Sequence, residues 1–186
     1  MGNNLKPIQT FYNGIKFRSR LEAKWAVVFD ELGVKWKYEA EGYELPSGNR
    51  YLPDFLLECY GTRGSYDCEP FDLWIEVKGK MTESDAAKIK EFVYNDGGEM
   101  NPVLIVGDIP NPFGDVLSEM DSYSPMNDVN IYQFNYETID GDHFGAYPAA
   151  HNGRFYLMGD DSNYIDCADL DEMREACKKA RNARFE

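Results

Sequence analysis

Three consecutive stretches restrict the fold of this 186-residue chain more than any other feature. Leu73-Trp-Ile-Glu-Val-Lys78 alternates with the two-residue period of a strand and is ended by Gly79. Thr82 or Ser84 then starts a segment expected to be helical to about Asn95, with Gly97-Gly98 ending it. Pro102-Val-Leu-Ile-Val106 follows, a short apolar run suited to a buried strand. Strand, helix and buried strand in this order predict a crossover that returns the chain to the same sheet. On the first strand Trp74, Glu76 and Lys78 share one face, and Ile75 and Val77 share the other.

The preceding segment supplies further elements. Ser19-Arg-Leu-Glu22 has the spacing of a capping box and predicts a helix to about Leu32, stopped by Gly33. Leu21, Trp25, Val28, Phe29 and Leu32 form its apolar face. Glu22 lies at the border of that face, roughly 75° from its centre. Val34-Lys-Trp-Lys-Tyr-Glu39 reads as a strand, Gly42 to Leu45 as the start of another, and Pro46-Ser-Gly-Asn49 as a turn. Tyr51 to Leu57 reads as the return strand, where Pro53 predicts an edge or a bulge. Residues 60–72 look like a loop. Residues 107–150 show little pattern beyond a short strand at Ile131 to Phe134. Arg154 to Met158 suggests one more strand, and Asp166 or Asp169 can cap a final helix through Leu170, Met173, Cys177 and Ala180. The expectation is an α/β fold with a mixed central sheet: a core over residues 1–107, and a C-terminal α+β elaboration over residues 108–186 packed on it.

Composition narrows the class. With 43% hydrophobic and 15% aromatic residues the chain can bury a sizeable core, which argues against disorder. No stretch approaches the ~20 apolar residues that span a bilayer, so no membrane partner is expected. Met1 to Thr10 has no apolar h-region, and without a secretory signal the four cysteines read as thiols of a reducing compartment. A cytoplasmic protein is expected. The net charge of -14 argues against a non-specific polyanion binder. Its uneven distribution weakens that exclusion. Residues 1–50 carry 8 basic and 6 acidic side chains, whereas residues 101–150 carry 8 acidic and none basic. A basic patch can therefore persist on an acidic protein.

Four polar residues fall at telling places in this order: Glu22 on the first helix, Asp54 after a proline, and Glu76 and Lys78 on one strand. Phosphodiester hydrolysis needs a divalent metal that neutralises phosphate charge and acidifies a water. Mg²⁺ takes oxygen ligands, typically one or two carboxylates plus water and substrate oxygens. Asp54 and Glu76 on neighbouring strands can supply the carboxylates, and the Val77 backbone carbonyl a further oxygen. Each residue alone has a plainer explanation. Glu-x-Lys on a strand is usually an ion pair, Pro-Asp a turn, and Glu22 the capping partner of Ser19. Together and in order they are harder to dismiss.

Pro53-Asp54 followed by Glu76-Val77-Lys78 resembles the PD-(D/E)XK nuclease superfamily, with its restriction-endonuclease-like αβββαβ core. Phe17-Arg-Ser-Arg-Leu-Glu-Ala-Lys-Trp-Ala26 resembles the first-helix motif of small phage and bacterial members. The resemblance covers about residues 11–107. It implies that Asp54 and Glu76 bind Mg²⁺, with Mn²⁺ able to substitute, that Lys78 assists the attacking water, and that Glu22 completes the acidic cluster. It further implies phosphate contacts from Arg18 and Arg20, although a helical Arg20 would point away from the apolar face. Many such nucleases act as dimers, so a homodimer is a further expectation, in a bacterial cell or phage-infected host. Lys16 and Arg18, interleaved with Phe11, Tyr12 and Phe17, could touch nucleic acid, though core packing explains each aromatic equally well.

The leading expectation is a Mg²⁺-dependent endonuclease acting on DNA, with RNA not distinguished from it. The rival is an acidic interaction or decoy protein on a nuclease-like scaffold, which binds a basic protein partner without cleavage. Other constellations are weaker. Cys59, Cys68, Cys167 and Cys177 lack the close pairs usual in zinc or iron–sulfur sites. His143 and His151, with Asp140 and Asp142, fit a surface loop better than a metal site.

Overall fold

The computed structural model describes residues 8–60, 70–79, 81–93, 101–109, 131–134, 146–159 and 170–185. In chain order the elements are β1 (Thr10–Tyr12), β2 (Ile15–Phe17), α1 (Arg20–Glu31), β3 (Trp36–Tyr38), β4 (Tyr43–Glu44), β5 (Arg50–Tyr51) and β6 (Phe55–Cys59). They continue with β7 (Phe71–Val77), α2 (Glu83–Val93), β8 (Val103–Val106), β9 (Ile131–Phe134), β10 (Ala146–His151), β11 (Arg154–Gly159) and α3 (Leu170–Asn182). The fold is mixed α/β, with three helices among the described residues.

The sheet runs β10-β11-β6-β7-β8-β9, and β3 pairs along the first half of β6. β7 and β8 are parallel, with Glu76 beside Ile105, so α2 is the crossover that the sequence predicts. β6 and β7 are antiparallel, from Phe55 beside Ile75 to Cys59 beside Phe71. Alternation along β7 divides the core between the two faces of the sheet. Ile75 and Val77 join α1 and α3 in the larger cluster, around Phe17, Trp25, Phe29, Phe55 and Phe155. Trp74 joins α2 in the smaller one, with Tyr51, Ile89, Phe92 and Ile105.

Local chemistry explains α1 well. Ser19 Oγ accepts the Glu22 N–H at 3.1 Å and caps the first turn. At the other end Gly33 takes φ +66°, the Gly33 N–H bonds Asp30 O and the Val34 N–H bonds Phe29 O, both at 3.0 Å. This pair of bonds is a Schellman stop, which glycine adopts without steric cost. Trp25 is anchored as well as buried, since its Nε1 donates to Gly107 O at 2.7 Å.

Three expectations need correction. The stretch from Tyr51 to Leu57 is not one strand. β5 belongs to a two-stranded ribbon with β4, and the chain breaks at Leu52-Pro53-Asp54 before entering the main sheet as β6. Pro53 cannot donate to a ladder, and the break falls there. β7 begins at Phe71 rather than Leu73, because Phe71 and Asp72 still pair with Cys59 and Glu58. Two hairpins go unread in the sequence, β1–β2 and the pairing of β10 with β11, although β11 itself matches the strand expected from Arg154 to Met158. Their turns are Asn13-Gly14 (φ +46° and +78°) and Asn152-Gly153 (φ +51° and +73°), the left-handed pair that a two-residue hairpin requires. Gly153 also abuts the end of α1, where a Cβ would stand 3.0 Å from Gly33 O. Beyond residue 107, β9, β10 and β11 extend the same sheet, and α3 packs its Met173, Ala176, Cys177 and Ala180 into the larger cluster. No helix among the described residues is long and apolar enough to cross a membrane.

Candidate active site

The first turn of α1, the end of β3, the turn before β6 and the end of β7 converge at one end of the sheet. Glu22, Asp54 and Glu76 are only 6%, 3% and 4% exposed, and they are the buried carboxylates among the described residues. Ionised groups are rarely buried this deeply unless paired and hydrogen-bonded. The structure brings these three and Lys78, distant in the chain, into one electrostatic cluster.

Each carboxylate has identifiable donors. Glu22 accepts the Arg18 N–H at 3.1 Å and the Tyr38 hydroxyl at 2.5 Å, both on Oε2. Its backbone completes the Ser19 cap while its side chain turns toward the cluster, so one residue serves both purposes. Asp54 grips β7 on either side of Glu76: its N–H donates to Ile75 O at 3.1 Å, and its Oδ2 accepts the Val77 N–H at 2.7 Å. Glu76 Oε2 accepts the Tyr51 hydroxyl at 2.8 Å, and Oε1 pairs with Lys78 Nζ at 2.8 Å. Lys78 sits two residues along the strand and shares that face. It is also held by Asp85 Oδ1 at 3.2 Å, at the start of α2. Asp85 in turn accepts the Thr82 hydroxyl at 2.6 Å, in a reciprocal cap with the Asp85 N–H on Thr82 Oγ1.

Arg18 closes the cluster from above. Its guanidinium pairs with Asp54 Oδ1, its Nε lies 2.8 Å from Glu39 Oε1 and 4.0 Å from Glu22 Oε2, and its side chain is 51% exposed. Burial, followed by the neighbouring charges of Glu76 and Glu22, pushes Asp54 up to about 8, against the pull of the Val77 N–H and Arg18. Burial disfavours the Lys78 ammonium, but Glu76, Asp85 and Asp54 outweigh it and the pKa rises. For Tyr51, burial and then Glu76 raise the pKa steeply, so its hydroxyl remains a donor throughout the neutral range.

The donor set suits a hard cation. It is all oxygen, and its acidic groups crowd one another enough to raise the pKa of Asp54. Among the described residues no group of three or more His, Cys, Asp or Glu side chains could hold a metal ion as they stand. A cation here would therefore take Asp54 and Glu76, with the Val77 carbonyl, water and substrate oxygens completing its shell, the sparse protein ligation common for Mg²⁺. Glu22, tied to Tyr38 and the Arg18 backbone, is better placed to act through water than as a direct ligand.

The remaining candidates separate clearly. Arg20 and Lys16 are exposed, and the Lys16 ammonium lies 5.9 Å from the Phe11 ring centroid. Phe17 is core, packed on Tyr38 and Phe55. Cys59 and Cys177 are buried in the larger cluster, and Cys68 and Cys167 lie outside the described residues. His151 is exposed on the β10–β11 hairpin, whereas His143, Asp140 and Asp142 lie outside the described residues. Sequence reasoning did not anticipate Tyr38, Tyr51, Glu39 or Asp85 as partners of the site. For Asp85 a signal existed, the Thr82-x-x-Asp85 capping spacing. Tyr51 also lines a cavity of about 470 Å³ with Gly42, Tyr43, Glu44, Arg50 and Leu52. No family model, curated protein or solved structure matches the chain.

Proposed function

We propose that the protein is a Mg²⁺-dependent nuclease that hydrolyses DNA phosphodiester bonds, as an endonuclease of PD-(D/E)XK type. One observation carries this reading. Asp54 and Glu76, from Pro53-Asp54 and Glu76-Val77-Lys78, are buried in one electrostatic cluster with Glu22, and Glu76 is paired with Lys78. A nuclease-like core is supported by the order α1, β3, β6, β7, α2, β8, with the β4–β5 ribbon as an insertion.

Asp54 and Glu76 would hold the cation, with Mn²⁺ able to replace Mg²⁺. The bound metal would neutralise phosphate charge and lower the pKa of a water. Lys78 Nζ, on the Glu76 face, would donate to the attacking water and orient it for in-line attack. Tyr51 fixes the Glu76 rotamer, and Tyr38 fixes Glu22, so neither carboxylate must reorganise during reaction. Arg18 is the favoured phosphate contact, since a planar guanidinium suits phosphate oxygens.

A second reading rests on a different observation: Arg18 and Lys78 already place two cations within the cluster. A non-cleaving acidic scaffold that binds a basic protein would need no added cation. Labelled linear, circular, single-stranded and branched DNA, and an RNA strand, incubated with Mg²⁺, Mn²⁺ or chelator separate the two. The nuclease reading predicts cleavage that chelator abolishes and Glu76→Ala eliminates, with Lys78→Ala slowing it by about 10²–10⁴-fold. Cleavage retained by folded Glu76→Ala contradicts it. An inert parent that captures a basic protein without metal favours the scaffold.

A further inference from the structure

The cluster contains two cations, and they are held differently. Lys78 is clasped between Glu76 and Asp85, with its side chain 26% exposed. Arg18 precedes the Ser19 cap, outside the helix, and its side chain is 51% exposed. Its guanidinium nevertheless occupies Asp54 Oδ1, an oxygen of the carboxylate to which the nuclease reading gives the metal. Asp54 Oδ2 already accepts the Val77 N–H, so a divalent cation bound through this carboxylate competes with the Arg18 guanidinium for it, and their like charges repel at contact. Besides Asp54 and Glu22, Glu39 holds Arg18 over the carboxylates, through the 2.8 Å contact to Nε. Glu39 is itself set by the fold, at φ +45° just past β3, with its N–H on Asp54 O at 2.9 Å.

Resting on the nuclease reading, we propose that Arg18 is an exchangeable counterion, latched over the carboxylates by Glu39 and displaced when a divalent cation binds. The displaced guanidinium, half in solvent beside the pocket, then meets a phosphate diester of the nucleic acid. Its planar donor fork, weakly hydrated for a cation, suits either partner, carboxylate or phosphate. The metal-free site is thus closed by its own arginine, and cation and nucleic acid open it together.

Calorimetric titration with Mn²⁺ alone, supported by the Mn²⁺-induced rise in melting temperature, tests this on the full chain. Glu39→Gln is the decisive variant. Removing a negative charge near the pocket should weaken metal binding by simple electrostatics, but loosening the latch should tighten it. A tightening of roughly twofold to fivefold is expected, the range of a partly exposed ion pair. Arg18→Lys keeps the charge but loses the fork, and should tighten binding in the same sense. Failure of either folded variant to bind Mn²⁺ more tightly than the parent overturns the latch and leaves the nuclease reading standing. A parent that takes up no Mn²⁺ overturns the metal site itself, and the latch with it.

Discussion

Two pairs of like charges lie at the two ends of the β6–β7 ladder, one within it and one just before β6, and the fold treats them in opposite ways. At the outer end Glu58 pairs directly with Asp72, and both are exposed. Water screens that repulsion, so the pair costs little. At the inner end Asp54 meets Glu76, and both are buried. There the fold supplies Arg18, Lys78, the Tyr51 hydroxyl and the Val77 N–H, and Asp54 is still pushed up to about 8. A hydrophobic isostere at the inner end would avoid this desolvation cost. Retaining buried carboxylates beside a lysine is what a site requires and a core does not.

The largest expected contrast between the two ends is in activity. Asp54→Asn should abolish Mg²⁺-dependent cleavage, whereas Asp72→Asn should leave the rate within about twofold, measured on one labelled duplex. Next comes pH. Folded Asp54 holds its proton up to about 8, while the unfolded residue releases it near 4. The folded state therefore binds more protons between those values, and Asp54 lowers stability as pH rises through that window. Asp54→Asn should flatten the fall in denaturant stability between about pH 4 and pH 8 relative to the parent. An unchanged slope would mean that Asp54 is ionised throughout. Smaller still, Tyr51→Phe should cost about 1–3 kcal/mol by leaving Glu76 Oε2 without its buried donor. At the screened end, Asp72→Asn should change stability by less than about 0.5 kcal/mol. A cost equal to that of Tyr51→Phe would erase the distinction between the ends.

The site's acidic residues and lysine are legible in sequence because they sit in short local patterns: Glu22 three residues after Ser19, Asp54 after Pro53, and Glu76 and Lys78 on one strand face. The compensating groups are less so. Tyr38 reaches Glu22 only because β3 pairs with β6, and Tyr51 reaches Glu76 only because the β4–β5 ribbon folds over Trp74 and Phe92. Strand alternation gives a face but not a neighbour, so such partners depend on register. The hairpins are a different case. Asn13-Gly14 and Asn152-Gly153 are strong turn signals, and the three-residue strands β1 and β2, rather than the turn, are what hide the first hairpin. β10 is harder to read, because Pro148 interrupts its pattern and its pairing with β11 is settled by the turn.

Centrally, Asp54 and Glu76 are proposed to hold one divalent cation. Anomalous diffraction from a crystal soaked in Mn²⁺ tests this most directly. A single strong peak between the two carboxylates is predicted, with the Arg18 guanidinium moved off Asp54. Density confined to other sites, with Arg18 still on Asp54 at saturating Mn²⁺, would contradict it.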